Sequence, residues 1–221
     1  MKFSIIHPSR GRPLLANQVI QRTVAAASGK HEIEYILCFD QSDPLIEAYR
    51  GINHPHLVKH ESTKESCGGA PKFNEGAALA TGELLMIGTD HIKYPAKWDE
   101  LLYETVKDII DTPFALHVNE NDGRVHYWSI FPIFSRKYYE IDGYALYPGY
   151  HHYYSDVEFY DVAMMRGMMI PAKHITIDYD HYTTGRVPKD SVYVSTELNL
   201  PHDAAVYARR KQSGFKEALC K

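Results

Sequence analysis

The chain has 221 residues, enough for a sizeable core in one domain or two small ones. Hydrophobic residues make up 44% and charged residues 24%, the net charge is −4, and no Lys/Arg cluster forms a nucleic-acid footprint. No apolar run reaches the roughly 18–20 residues that span a bilayer, and the apolar part of "MKFSIIHPSRGR" is short for a secretory signal, so a cytoplasmic protein is expected.

In chain order, "KFSIIHP" (2–8) reads as a short apolar strand followed by the turn "SRGRP". Residues 14–28 carry apolar side chains at helical spacing, with Gly29 as a stop. "IEYILCFD" (33–40) is a second buried strand that includes Cys38, and "QSDP" is a turn. "HLVKHE" (56–61) gives a third strand, 62–72 a loop, 73–81 a short helix and "ELLMIG" (83–88) a fourth strand. An amphipathic helix is expected over 96–110. Strands alternating with helices imply a mostly parallel sheet covered on both faces, with ligands at the carboxyl ends of its strands. His7, Pro8, Asp40 and Asp90 fall at such ends.

The second half changes character. "FALHV" (114–118) and "VHYWSIFPIFS" (125–135) read as strands around the turn "NENDGR", giving a small antiparallel part. A short helix follows over 135–144, then the aromatic loop "YPGYHHYY" (147–154). "SDVEFYDVAMMRG" (155–167) is a helix with Ser155 as its expected cap. A last strand lies within 168–182, and 203–219 reads as a final helix. There is no repeat or clear linker, so a single domain over 1–221 is expected, its halves being 1–112 and 113–221. Three widely spaced cysteines, Cys38, Cys67 and Cys220, form neither a disulfide framework nor a zinc knuckle.

The order of these signals resembles a family 2 glycosyltransferase with the nucleotide-sugar-binding GT-A fold. "SIIHPSRGRPLL" resembles that family's first strand and its loop ending in Arg-Pro, and "CFDQSDP" the second strand with an acidic turn. "KFNEGAALATGELLMIGTDHIKYPAKW" resembles the Asn-containing helix, the Ala-Thr-Gly-Glu step, the next strand and the acidic metal motif. "FSRKYYEIDGY" and "YSDVEFYDVAMMRG" resemble the acceptor-side helix and the helix that supplies the base. The chain departs from the pattern at Gly88, which stands where the first metal acid is usual, and at Ser155-Asp156, where Glu-Asp is usual.

The resemblance implies a Rossmann-like α/β chain that moves a sugar from a nucleotide-diphosphate donor to an acceptor hydroxyl, with inversion. A divalent cation, Mn2+ or Mg2+, would bridge the phosphates and stabilise the leaving charge. Asp90 is the expected metal ligand and His181 the second, drawn from "IDYDHYTTGR". Asp156 is the expected general base, with Glu158 as the alternative. Asp40 and Asp43 are expected at the base or ribose, with Pro8, Arg10 and Arg12 from the first loop. Lys72 and Asn74 would face the nucleotide, and Arg186 would grip a phosphate in fork geometry. The acceptor stays open among glycan, lipid carrier, protein and modified nucleobase. A non-catalytic scaffold binding a nucleotide sugar or a protein partner is the rival reading. A nucleotidyltransferase ranks third, because "HPSRGRP" carries a single Gly.

Overall fold

The computed structural model describes residues 1–63, 68–121 and 126–216, so Cys67, Cys220 and parts of the expected 119–124 turn and of the tail lie outside the described residues. The chain opens with β1 (Lys2–Pro8), α1 (Pro13–Ala25), β2 (Glu32–Asp40), α2 (Ile46–Arg50), β3 (Leu57–Ser62) and α3 (Gly69–Leu79). β4 (Leu84–Ile87), the two-residue β5 (Ile92–Lys93) and α4 (Trp98–Val106) follow. The rest contains β6 (Ala115–Asn121), β7 (Ile133–Ser135), α5 (Arg136–Asp142), α6 (Ser155–Met165), β8 (Met169–Tyr179), α7 (Ser191–Glu197) and α8 (Leu200–Gln212).

These strands form one eight-stranded sheet in the order β3-β2-β1-β4-β7-β6-β8-β5. β1 runs parallel to β2 and β4, β2 to β3, and β6 to β8. β7 is antiparallel to β4 and β6, and β5 to β8. The sheet is thus mostly parallel, with its antiparallel part in the second half.

Strand alternation divides the core in two, because successive side chains point to opposite faces. Phe3 and Ile5 of β1 and Tyr35, Leu37 and Phe39 of β2 pack with α1 and α4 through Ala16, Val19, Ile20, Trp98 and Leu102. Ile6, Ile36 and Cys38 face the other way, against Ala70, Phe73 and Ala77 of α3 and, further along, Phe159 of α6 and Val206 of α8. The same alternation sends His7 to the first face and Asp40 to the second. Gly76 permits the close seat of α3: a Cβ there would meet Ile6 Cγ2 at 2.4 Å and Cys38 Sγ at 2.8 Å.

Several local expectations shift. Among the described residues of the aromatic run only Ile133–Ser135 pairs as a strand, and 126–132 is irregular. Ser155 does not cap α6: Tyr154 occupies the cap position with φ 61°, and the Ser155 hydroxyl donates instead to the His152 carbonyl at 3.1 Å. α8 begins at Leu200, with Pro201 in its first turn. The short α7 had no counterpart in the sequence reading. No helix among the described residues is long and apolar enough to cross a membrane.

Candidate active site

A cavity of about 770 Å3 opens beyond the carboxyl ends of β1 and β4. Its wall includes Pro8, Arg10, Arg12, Lys72, Asp90, Asp156 and His181, so seven of the expected residues share one space. That volume lies within the range of small-molecule sites.

Asp90 follows β4 and is 7% exposed. Its Oδ1 accepts hydrogen bonds from His7 Nε2 at 3.0 Å and Ser9 Oγ at 2.7 Å, and Arg12 reaches its Oδ2 at 3.4 Å. His7 is fully buried, and its Nδ1 meets the Tyr35 hydroxyl at 2.8 Å. An ionised Asp90 only accepts, so the network assigns the hydrogen to His7 Nε2 and makes Tyr35 the donor to Nδ1. Burial pushes the Asp90 carboxyl up, but the bonds from His7 and Ser9 and the Arg12 guanidinium outweigh it. The carboxyl is held below the usual carboxylate value.

Arg12 is locked in place. Its Nε and a terminal nitrogen donate to the two oxygens of Asp190 at 2.8 and 2.7 Å, and its guanidinium lies 4.4 Å over the Tyr193 ring. Asp190 also caps α7 by accepting from the Val192 and Tyr193 amides. Arg12 therefore stands beside Asp90 and not beside the acidic turn after β2. A second cationic group sits there: Lys72 Nζ lies 3.0 and 3.1 Å from the oxygens of Asp40, and Arg10 donates to Asp40 at 2.6 Å. Burial lowers the Lys72 ammonium and Asp40 partly restores it.

Four expected residues do not reach the cavity wall. Asp40 is fully buried and anchors Lys72 and Arg10, which do line it. Asp43 accepts from the Gly11 and Leu45 amides at 2.6 and 2.8 Å and stabilises the turn. Asn74 ties α3 to the Ala145–Leu146 backbone through three hydrogen bonds. Arg186 donates to the Asn121 and Tyr179 carbonyls.

Asp156 lies in the first turn of α6, where Trp128 Nε1 donates to its Oδ2 at 2.8 Å. Burial raises its carboxyl above the ordinary value, and the bonds from Trp128 and the backbone amides of its own turn oppose that only in part. Glu158 is occupied elsewhere. It accepts from Tyr150 at 2.6 Å and pairs with Arg210 at 2.7 Å, both side chains being nearly buried. His181 has its Nδ1 2.7 Å from the Thr183 hydroxyl, and its ring packs on Tyr193.

Among the described residues no group of three His, Cys, Asp or Glu side chains could hold a metal. The donor chemistry of Asp90 and His181 therefore does not suit a cation caged by the protein alone. It does suit a cation shared with donor phosphates, since magnesium is commonly held by one or two carboxylates plus substrate oxygens. Asp90 Oδ2, with only the long contact to Arg12, is the oxygen that would serve.

Residues unforeseen from sequence complete the site. His7 was noted only for its strand-end place, and Ser9, Asp190 and Tyr193 carried no motif. Trp128, one of two tryptophans, was the single legible signal.

No protein-family model matches the chain, and no curated protein matches it in sequence. Solved structures do match. S. aureus TarS superposes with a TM-score of 0.62 at 14% identity over 82% of this chain and 37% of that one. Residues 1–349 of TarS in complex with UDP-GlcNAc give 0.60 at 16% identity, over 82% of this chain and 59% of that one. This chain thus spans less than two thirds of the TarS chains. The mannosyltransferase PcManGT from Pyrobaculum calidifontis, in complex with GDP-Man and Mn2+, gives 0.62 at 17% identity, over 98% of this chain and 76% of that one. At such identities the likeness establishes the fold alone, and the chain carries a GT-A fold.

Proposed function

We propose that the chain is a glycosyltransferase acting on a nucleotide-diphosphate sugar, with inversion at the anomeric carbon. The observation that carries the reading is one cavity lined by the cationic groups Arg10, Arg12 and Lys72 and by the half-buried carboxylate of Asp156. Arg10 and Lys72, drawn together by Asp40, serve the nucleoside end. Arg12, held between Asp90 and Asp190, faces the diphosphate. The resemblance to structures containing UDP-GlcNAc and GDP-Man supports this class of donor. Residues 1–112 supply most donor contacts and 113–221 the base, and the two halves act as one domain.

Asp156 takes the proton from the acceptor hydroxyl as that oxygen attacks. Its raised basicity suits the task, because a carboxylate that holds a proton more tightly is a better acceptor for one. Trp128 holds the carboxylate in orientation. Asp90 and His181 would hold a divalent cation, which when bound supplies charge to the leaving diphosphate. Arg12 supplies a fixed positive charge to the same group.

Asp156→Asn tests the reading. Loss of a general base costs about 100- to 10,000-fold in rate. The folded-state carboxyl is raised, so its ionised form opposes folding once the pH exceeds the unfolded value. The amide removes that opposition. Transfer should collapse while the melting temperature at neutral pH stays level or rises. Full turnover by Asp156→Asn with a nucleotide-sugar panel would overturn the assignment.

A further inference from the structure

The carboxyl-terminal helix grips the turn that delivers Asp156. Asp203, in the first turn of α8, is fully buried. Its two oxygens accept from three consecutive backbone amides, those of His151, His152 and Tyr153, at 3.0, 2.8 and 2.8 Å. The next residue, Tyr154, has φ 61°, a left-handed conformation uncommon for tyrosine. Such a conformation persists where its surroundings over-determine it. One turn further along α8, Tyr207 stacks on Tyr154 with ring centroids 5.2 Å apart and planes 21° apart. Asp156 lies two residues beyond Tyr154.

We propose that Asp203 is a positioning residue for the catalytic base: from α8 it fixes the 151–154 turn so that Asp156 enters the cavity against Trp128. The inference rests on the glycosyl-transfer reading for the word catalytic, though not for the geometry. Three amides pinned to one carboxylate leave the turn no slack, and the left-handed step at Tyr154 sets the direction in which α6 starts. His151 also carries the turn to α3, its carbonyl accepting from the Ala70 amide at 3.1 Å. One carboxylate thus holds the base in register with the helix that bears Lys72. Misplacing a catalytic group by about 1 Å from a distance can cost roughly 100-fold in rate.

Trp128 provides a readout that does not depend on turnover. Its indole is bonded to Asp156, whereas the other tryptophan, Trp98, is buried in the core with its N–H on the Thr23 carbonyl. Fluorescence followed against pH should show a midpoint above the ordinary carboxylate range, absent in Asp156→Asn. His126, whose ring packs on Trp128 at 4.5 Å, is common to both chains, so the difference between them belongs to Asp156. In Asp203→Asn the midpoint should fall towards the ordinary value as Asp156 leaves its place against Trp128 and becomes more exposed. Its kcat should drop by about 10- to 100-fold with donor KM nearly unchanged. If Asp203→Asn does not fold, Tyr207→Leu removes the stacked ring with the amides still held, and the same two readings should move. A wild-type midpoint and kcat in the folded variant would overturn the proposal. Absence of transfer by the unmodified chain, with the midpoint shift intact, would count against the functional reading alone.

Discussion

Gly88 decides how the Asp90 end of the cavity is built. A Cβ at this position would lie 3.1 Å from both His7 Cβ and Ile5 Cγ2, and 3.4 Å from the Ile6 carbonyl oxygen. The strand end is therefore packed tightly against β1, and a side chain there displaces the histidine that holds Asp90. Restoring an acid at 88 is not the simple repair that the motif suggests. Gly88→Ala should cost about 1–3 kcal/mol by overpacking. Gly88→Asp should cost more, since it adds a charge beside a carboxylate that already has its donors. Urea melts with an unchanged m-value would show this as a shift of midpoint. A Gly88→Asp chain as stable as the original would mean that β1 gives way easily.

At the scale of elements, α8 reads α6 along one face. Asp203, Tyr207 and Arg210 stand at i, i+4 and i+7, which a helix places on one side. They meet the turn before α6, Tyr154 and Glu158 in order. Arg210 is 2% exposed, bonds both oxygens of Glu158 and lies 3.5 Å over the Tyr147 ring. Removing one partner of a buried pair strands the other, so Arg210→Ala should cost about 3–5 kcal/mol. A double-mutant cycle with Glu158→Gln would separate the pair from the packing, and a coupling near zero would contradict it. This face explains what the sequence concealed. The inward stripe of α8 is largely polar, so its burial leaves no apolar period to read, and its start was placed three residues late. β1, β2 and β4 were legible because both their faces are buried and their apolar runs are continuous. The run 125–135 looked like a strand from its aromatic and β-branched content. Among its described residues only Ile133–Ser135 pair as a strand, and Trp128 donates to Asp156. The place of Asp90 was legible from its strand end. Its partners His7, Ser9 and Arg12 were not, lying 83, 81 and 78 residues away with no local pattern linking them.

At the scale of the molecule, one sheet carries both ends of the proposed reaction. The parallel half places Pro8, Arg12 and Asp90 where β1 and β4 end, and the second half brings Trp128 and Asp156 across the same cavity. The donor should therefore bind the assembled fold and not the unfolded chain, and binding must appear as stability. A ligand at 100 times its dissociation constant adds about 2.7 kcal/mol, roughly 5–10 °C in melting temperature for a chain of this size. In the proposed reaction two charges would compete for the diphosphate: the fixed guanidinium of Arg12 and a cation shared with Asp90. Their contributions separate by titration. If the cation carries most of the grip, chelator should abolish most of the rise given by a UDP- or GDP-sugar with Mn2+, and Asp90→Asn should mimic chelator. Arg12→Ala should weaken the rise both with and without Mn2+, because its charge is built in. A donor shift that is full in chelator and lost in Arg12→Ala would instead assign the phosphate end to arginine alone, and would leave Asp90 as the carboxylate that aims it.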